Sequence, residues 1–126
     1  MVVDDSSLMR RLVIRTLALE GDFEFMESEG ASDAIKKLAL AIPNLIILDI
    51  GLGTENGFDL LSSLKNNKNT ADIPIVVCTA SGDAGSIEKA ERLGASGYVP
   101  KPISTQALRK VVRKILATSE YEENPD

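Results

Sequence analysis

The chain has no histidine, no tryptophan and a single cysteine, Cys78. Without histidine it cannot assemble a Ser-His or Cys-His nucleophilic pair or a histidine metal site, and it cannot carry a phosphohistidine of its own. A lone cysteine closes no internal disulfide, which fits a reducing compartment, so a cytoplasmic location is expected. No apolar run approaches the roughly 20 residues that cross a bilayer, and no signal-peptide pattern opens the sequence, so no membrane partner is expected. Positive charge is also scarce. The 14 Lys and Arg against 19 Asp and Glu leave a net charge of -5, and beyond Arg10-Arg11, the pair Lys36-Lys37 and the last helix no basic residues adjoin. That balance argues against nucleic acid as a ligand and leaves open a cation held by carboxylates.

What is present is organised around Leu45-Ile46-Ile47-Leu48-Asp49. Four large apolar residues running into a carboxylate read as a strand buried on both faces. Asp49 then stands at the carboxyl edge of an open α/β sheet, where ligands bind. Along the chain, Met1-Val2-Val3 gives a short first strand and residues 7–20 a helix capped by Ser6 or Asp5 and stopped by Gly21. Residues 23–27 read as a second strand. Residues 31–41 read as a second helix with Ala34, Ile35, Leu38 and Ala39 on one face, ended by Pro43. A glycine loop with Gly51, Gly53 and Gly57 leads into a helix through Phe58, Leu60, Leu61 and Leu64. The strand Ile75-Val76-Val77-Cys78-Thr79 follows, then a helix through Ile87, Ala90 and Leu93 ended by Gly94. The short strand Gly97-Tyr98-Val99 comes last, before a helix capped by Ser104.

The alternation calls for an α/β fold: a doubly wound, five-stranded parallel sheet, flavodoxin-like (βα)5, with expected strand order 2-1-3-4-5. One domain is expected over residues 1–118. The acidic stretch 119–126 reads as a flexible, solvated tail.

The strand ends then line up: Asp4 and Asp5 after the first strand, Asp49 after the third, Thr79 ending the fourth, Lys101 after the fifth. Carboxylates held close together need a cation or a proton. Oxygen ligands suit Mg²⁺, and a hydroxyl and an ammonium beside it make a cradle for a phosphoryl group. Singly, each residue has a plainer use. Asp4-Asp5 can cap a helix, Asp49 can end a strand, Thr79 suits a sheet and Lys101 a surface. Tyr98 can be a packing aromatic, and Arg10-Arg11 reads as a solvated helix face.

Together, in this order, these residues resemble the receiver domain of two-component response regulators, and single-domain chemotaxis-type regulators are nearest in length. Val2-Val3-Asp4-Asp5 is similar to the family's acidic pair, Leu48-Asp49 to its phosphoacceptor and Cys78-Thr79-Ala80 to its switch threonine. Tyr98 matches the switch aromatic, and Lys101-Pro102 the family's lysine followed by proline, a bond usually cis there. The resemblance implies phosphoryl transfer to Asp49 from a phosphohistidine on a sensor histidine kinase or histidine phosphotransfer protein. It implies Mg²⁺ on Asp5, Asp49 and the Gly51 carbonyl, with Asp4 acting through water. Lys101 and Thr79 take catalytic positions at the phosphoryl oxygens. Thr79 and Tyr98 act as the switch, with output to a downstream protein through the fourth helix, fifth strand and fifth helix, residues 87–116. Such a regulator is not an enzyme beyond its own phosphotransfer and dephosphorylation, and Gly51 and Ser81 would flank the path of the hydrolytic water.

Two departures stand out. Receivers usually have several more residues before the first strand, so here that strand is short and weakly paired or lacks its natural start. The family's proline in the loop after the phosphoacceptor is Gly53. Two other classes share the residue set: a small Mg²⁺-dependent aspartyl phosphohydrolase, and a receiver-like binding module that takes no phosphate. The first wants a second acid two residues beyond the nucleophile, where Gly51 stands. The second would be expected to have lost Asp49 or Lys101.

Overall fold

The structure, a computed structural model, describes residues 1–53, 55–80 and 84–123, with side chains up to Ala117. Its centre is a parallel sheet of β1 (Val2–Val3), β2 (Glu27–Ser28), β3 (Ile46–Asp49), β4 (Ile75–Ala80) and β5 (Gly97–Lys101). Numbered along the chain, their spatial order is the expected 2-1-3-4-5. A small antiparallel ribbon, Gly51–Leu52 with Glu55–Asn56, lies outside the sheet in the glycine loop. It is absent from the sequence reading because two-residue strands carry no periodic signal.

The period of two along each strand divides the core. Val3, Ile46, Leu48, Ile75 and Val77 pack against α2 (Ala31–Leu38), α3 (Gly57–Lys65) and α4 (Ala84–Arg92), through Ala34, Leu38, Leu61 and Ala90 among others. Val2, Ile47, Val76, Cys78 and Val99 pack against α1 (Ser7–Leu17) and α5 (Thr105–Glu123), through Val13, Leu17, Leu108 and Val112. β3 and most of β4 are therefore buried on both faces, which is why they read as continuous apolar runs.

Several boundaries differ from the expectation. α1 has Ser6 as N-cap, its Oγ accepting from the Met9 N–H at 3.2 Å. It stops at Leu17 rather than Glu20, because Leu19 and Glu20 bond three residues back, to Thr16 and Leu17, and tighten the chain before Gly21. β2 covers Glu27–Ser28 instead of residues 23–27. Its pairing with β1 is confined to Val2 and Val3, opposite Glu27 and Ser28, and Phe23 instead meets Phe25 edge-on. α2 ends at Leu38, ahead of Pro43, and Ile35 and Ala39 are exposed while Ala34 and Leu38 are buried. α5 continues to Glu123, into the segment expected as a tail, because no glycine or proline interrupts it before Pro125. Residues 124–126 lie outside the described residues. Pro100 sits in β5, which is an edge strand, where a missing N–H is tolerated.

Candidate functional site

Register builds the site. Val3 lies opposite Leu48, so Asp4 leaves β1 beside Asp49. Asp49 lies opposite Cys78, which brings Thr79 one residue further along β4. Thr79 lies opposite Pro100, which in turn brings Lys101 one step beyond. Four strand ends thus deliver their polar residues to one stretch of the carboxyl edge.

Oxygens of Asp4, Asp5 and Asp49 lie within 4.8 Å of one another. Asp4, Asp49 and Thr79 are buried and Asp5 is exposed. Lys101 Nζ lies 2.6 Å from Asp49 Oδ1, and the Gly51 N–H donates to the same oxygen at 3.0 Å. The Lys101–Pro102 bond is cis, as the resemblance implies. Asp4 Oδ1 accepts from the Ser6 N–H at 2.9 Å. Burial pushes the Asp4 carboxyl above its ordinary range; the charges of Asp49 and Asp5 push the same way, against the Ser6 N–H and Lys101. Burial pulls Lys101 down, but the hydrogen bond and charge of Asp49 together with Asp4 outweigh it, so its pKa is raised and it stays an ammonium. Cys78, opposite Asp49 on the neighbouring strand, is pushed up to about 12 by burial and then by the Asp49 charge. It is a packing residue, neither ligand nor nucleophile.

The donor set fits a hard divalent cation. Crowded carboxylate oxygens are unfavourable without positive charge, one ammonium answers only part of it, and the exposure of Asp5 leaves room for water. Tyr98 lies on β5 opposite Val77, and the residue is 41% exposed. Ser81 lies outside the described residues.

Three residues gained a place that the sequence did not announce. Arg10, expected on a solvated face, is only 15% exposed in its side chain. Its Nη1 donates to the Asp4 carbonyl at 2.6 Å and its Nε to Glu27 at 3.0 Å. Arg11 is exposed as expected. Gly57 starts α3 against the backbone of Asp49 and Ile50: a Cβ there would stand 2.5 Å from the Ile50 Cα and 2.7 Å from the Asp49 carbonyl oxygen. Glu55 accepts from the Ala31 N–H at 3.0 Å, capping α2, whose own N-cap is Gly30. No periodicity or motif marks these contacts, because each joins one element to another rather than following the repeat within one.

A parallel sheet of order 2-1-3-4-5 with a carboxylate cluster and a lysine at its switch point defines a doubly wound α/β protein with its polar site at the strand ends. The comparisons make the class definite. The chain matches the response regulator receiver domain over residues 1–113 and belongs to that family. It is 32% identical over 121 residues to the chemotaxis protein CheY1 of Helicobacter pylori, covering 95% of this chain and 98% of that protein. The crystal structure of the receiver domain of NtrX from Brucella abortus superposes with a TM-score of 0.83 at 31% identity, covering 93% of this chain and 97% of that one. The Mn²⁺-bound form of the response regulator Rcp1 superposes with a TM-score of 0.76 at 29% identity, over 90% of this chain and 88% of its own. Phosphorylation-controlled switching in two-component systems is the general function of the family.

Proposed function

We propose that this chain is a cytoplasmic signalling switch that takes a phosphoryl group onto Asp49 from a phosphohistidine of a sensor kinase or phosphotransfer protein. The observation that carries the reading is the Lys101 ammonium 2.6 Å from Asp49, inside a cluster of three carboxylates at the sheet edge. A capping pair or a strand-end aspartate needs no such arrangement.

In the proposed step an Asp49 carboxylate oxygen attacks phosphorus. The bond from phosphorus to the imidazole nitrogen breaks, and its electron pair leaves with the imidazole. Lys101, already aimed at Asp49, pairs with a phosphoryl oxygen, and the Thr79 hydroxyl donates to another once the acyl phosphate exists. Asp4, Asp5, Asp49 and the Gly51 carbonyl would hold Mg²⁺, which when bound supplies positive charge where the phosphoryl oxygens gain negative charge. Gly51 offers no acid to protonate a leaving group, which separates this site from an aspartyl phosphohydrolase. The message would leave through α4, β5 and α5 to a downstream protein.

Incubation with acetyl phosphate and Mg²⁺, read by intact mass, tests the proposal. One phosphoryl group should add to the wild type and none to Asp49→Asn, whose shape is nearly unchanged. Continued labelling of that variant would move the acceptor to Asp4 or Asp5. An unlabelled wild type would leave a binding module, and steady turnover of free phosphate esters a hydrolase.

A further inference from the structure

Behind the acidic pair lies a relay that the proposed chemistry does not use. The Asp4 carbonyl stands at the end of β1, where the chain turns into α1, and it accepts from Arg10 Nη1 at 2.6 Å. Arg10 Nε is fixed in turn by Glu27 of β2 at 3.0 Å. The guanidinium is a planar fork, so fixing Nε also fixes the direction in which Nη1 points. Its side chain is 15% exposed, while Arg11 on the same helix is exposed. Asp4 is thus held at both ends, its carboxylate by the Ser6 N–H and its carbonyl by Arg10. Asp5, the exposed member of the cluster, is the next residue along that turn.

We infer that Arg10 is a positioning residue for the cation site: by fixing the Asp4 carbonyl it fixes the turn that presents Asp4 and Asp5, and Glu27 fixes Arg10. The inference rests on the proposed Mg²⁺ site. Groups that orient metal ligands from behind commonly account for about 10- to 100-fold in metal affinity. A simple ion pair between α1 and β2 would have no such effect.

Calorimetric titration with Mg²⁺ alone, on the full chain, separates the two. Arg10→Met keeps the apolar stem and removes both donors. Its Mg²⁺ Kd should rise by about 10-fold or more while its circular dichroism remains that of the wild type. Arg10→Lys should fall between, since an ammonium lacks the fork, and Glu27→Gln should lose less than Arg10→Met. The rate of acetyl-phosphate labelling in Arg10→Met should recover at saturating Mg²⁺, a split that a merely structural role would not produce. A folded Arg10→Met with wild-type Mg²⁺ affinity overturns the inference. If that variant does not fold, unchanged affinity in both Arg10→Lys and Glu27→Gln overturns it equally. A wild type that binds no Mg²⁺ sinks the functional reading and this inference together, whereas binding that none of the variants alters sinks this inference alone.

Discussion

Asp4, Asp5 and Asp49 share a space in which their charges repel, and Lys101 is the cation bonded to Asp49 there. Anything that binds this cluster only in the folded state stabilises the fold by mass action, about 2.7 kcal/mol at a hundred times Kd. Mg²⁺ should therefore raise the melting temperature of the wild type, and Asp5→Ala should remove most of the gain; a wild-type melt indifferent to Mg²⁺ counts against the site. Two glycines make a sharper contrast. At Gly51 a Cβ would meet only Asp49 Oδ1, at 3.8 Å, an ordinary contact, whereas at Gly57 it would meet three backbone atoms within 2.8 Å. Gly51→Ala should be close to neutral in urea unfolding. Gly57→Ala should cost about 1–3 kcal/mol by overpacking and slow labelling of Asp49, whose backbone it pushes. Equal stability of the two variants would show that α3 can give way there.

Among the elements, the turn that follows α1 is tied to α5 by Glu20, which accepts from Arg113 Nε at 2.6 Å and from Arg109 Nε. Arg113 and then Arg109 hold the Glu20 carboxyl below its ordinary range. A depressed carboxylate contributes stability above its unfolded pKa, and that contribution is lost as pH falls through the folded value. Glu20→Gln should thus be less stable than wild type at neutral pH. The difference should stay constant down to the ordinary glutamate pKa of about 4.3 and shrink below it. Urea midpoints from pH 7 to pH 3 test this, and a difference independent of pH would assign the effect to packing. This tie also shows where sequence legibility ends. β3 and β4 were legible because burial on both faces demands unbroken apolar runs. The strand-end aspartates, Thr79 and Lys101 were legible because sheet order collects them. The shortened β2, the tie of Glu20 to α5 and the burial of Arg10 were not, because partners distant in sequence set them: Val2 and Val3 for β2, Arg109 and Arg113 for Glu20, Glu27 for Arg10.

At the scale of the whole molecule, the question is how chemistry at one edge could alter a face on the far side of β4. Thr79 is buried on β4, opposite Pro100 of β5, and Tyr98, an exposed residue, stands two residues earlier on β5. On the proposed reading, Thr79 turns toward the phosphoryl oxygen to make a short bond to a charged acceptor, and the space it leaves lets Tyr98 turn inward. The surface that then changes is that of α4, β5 and α5. The change is a shift between two populations: a partner preferring one state moves the balance only by its differential affinity, and passing from 1:99 to 99:1 takes about 5.5 kcal/mol. Beryllium fluoride with Mg²⁺ mimics the acyl phosphate without hydrolysing. In amide spectra it should displace resonances around Asp49, Thr79 and Lys101 and also across residues 87–116. Thr79→Ala should retain the first set and lose the second, because the metal and lysine contacts survive while the hydroxyl that transmits the charge is gone. If the wild type shows changes only in the loops that hold the site, Tyr98 is a fixed packing residue and the output surface lies elsewhere. If Thr79→Ala still shows the distant changes, the coupling runs by another path, and the cation–π contact of Lys89 on α4 with Phe58 on α3, 4.5 Å from the ring centroid, is the contact to break next.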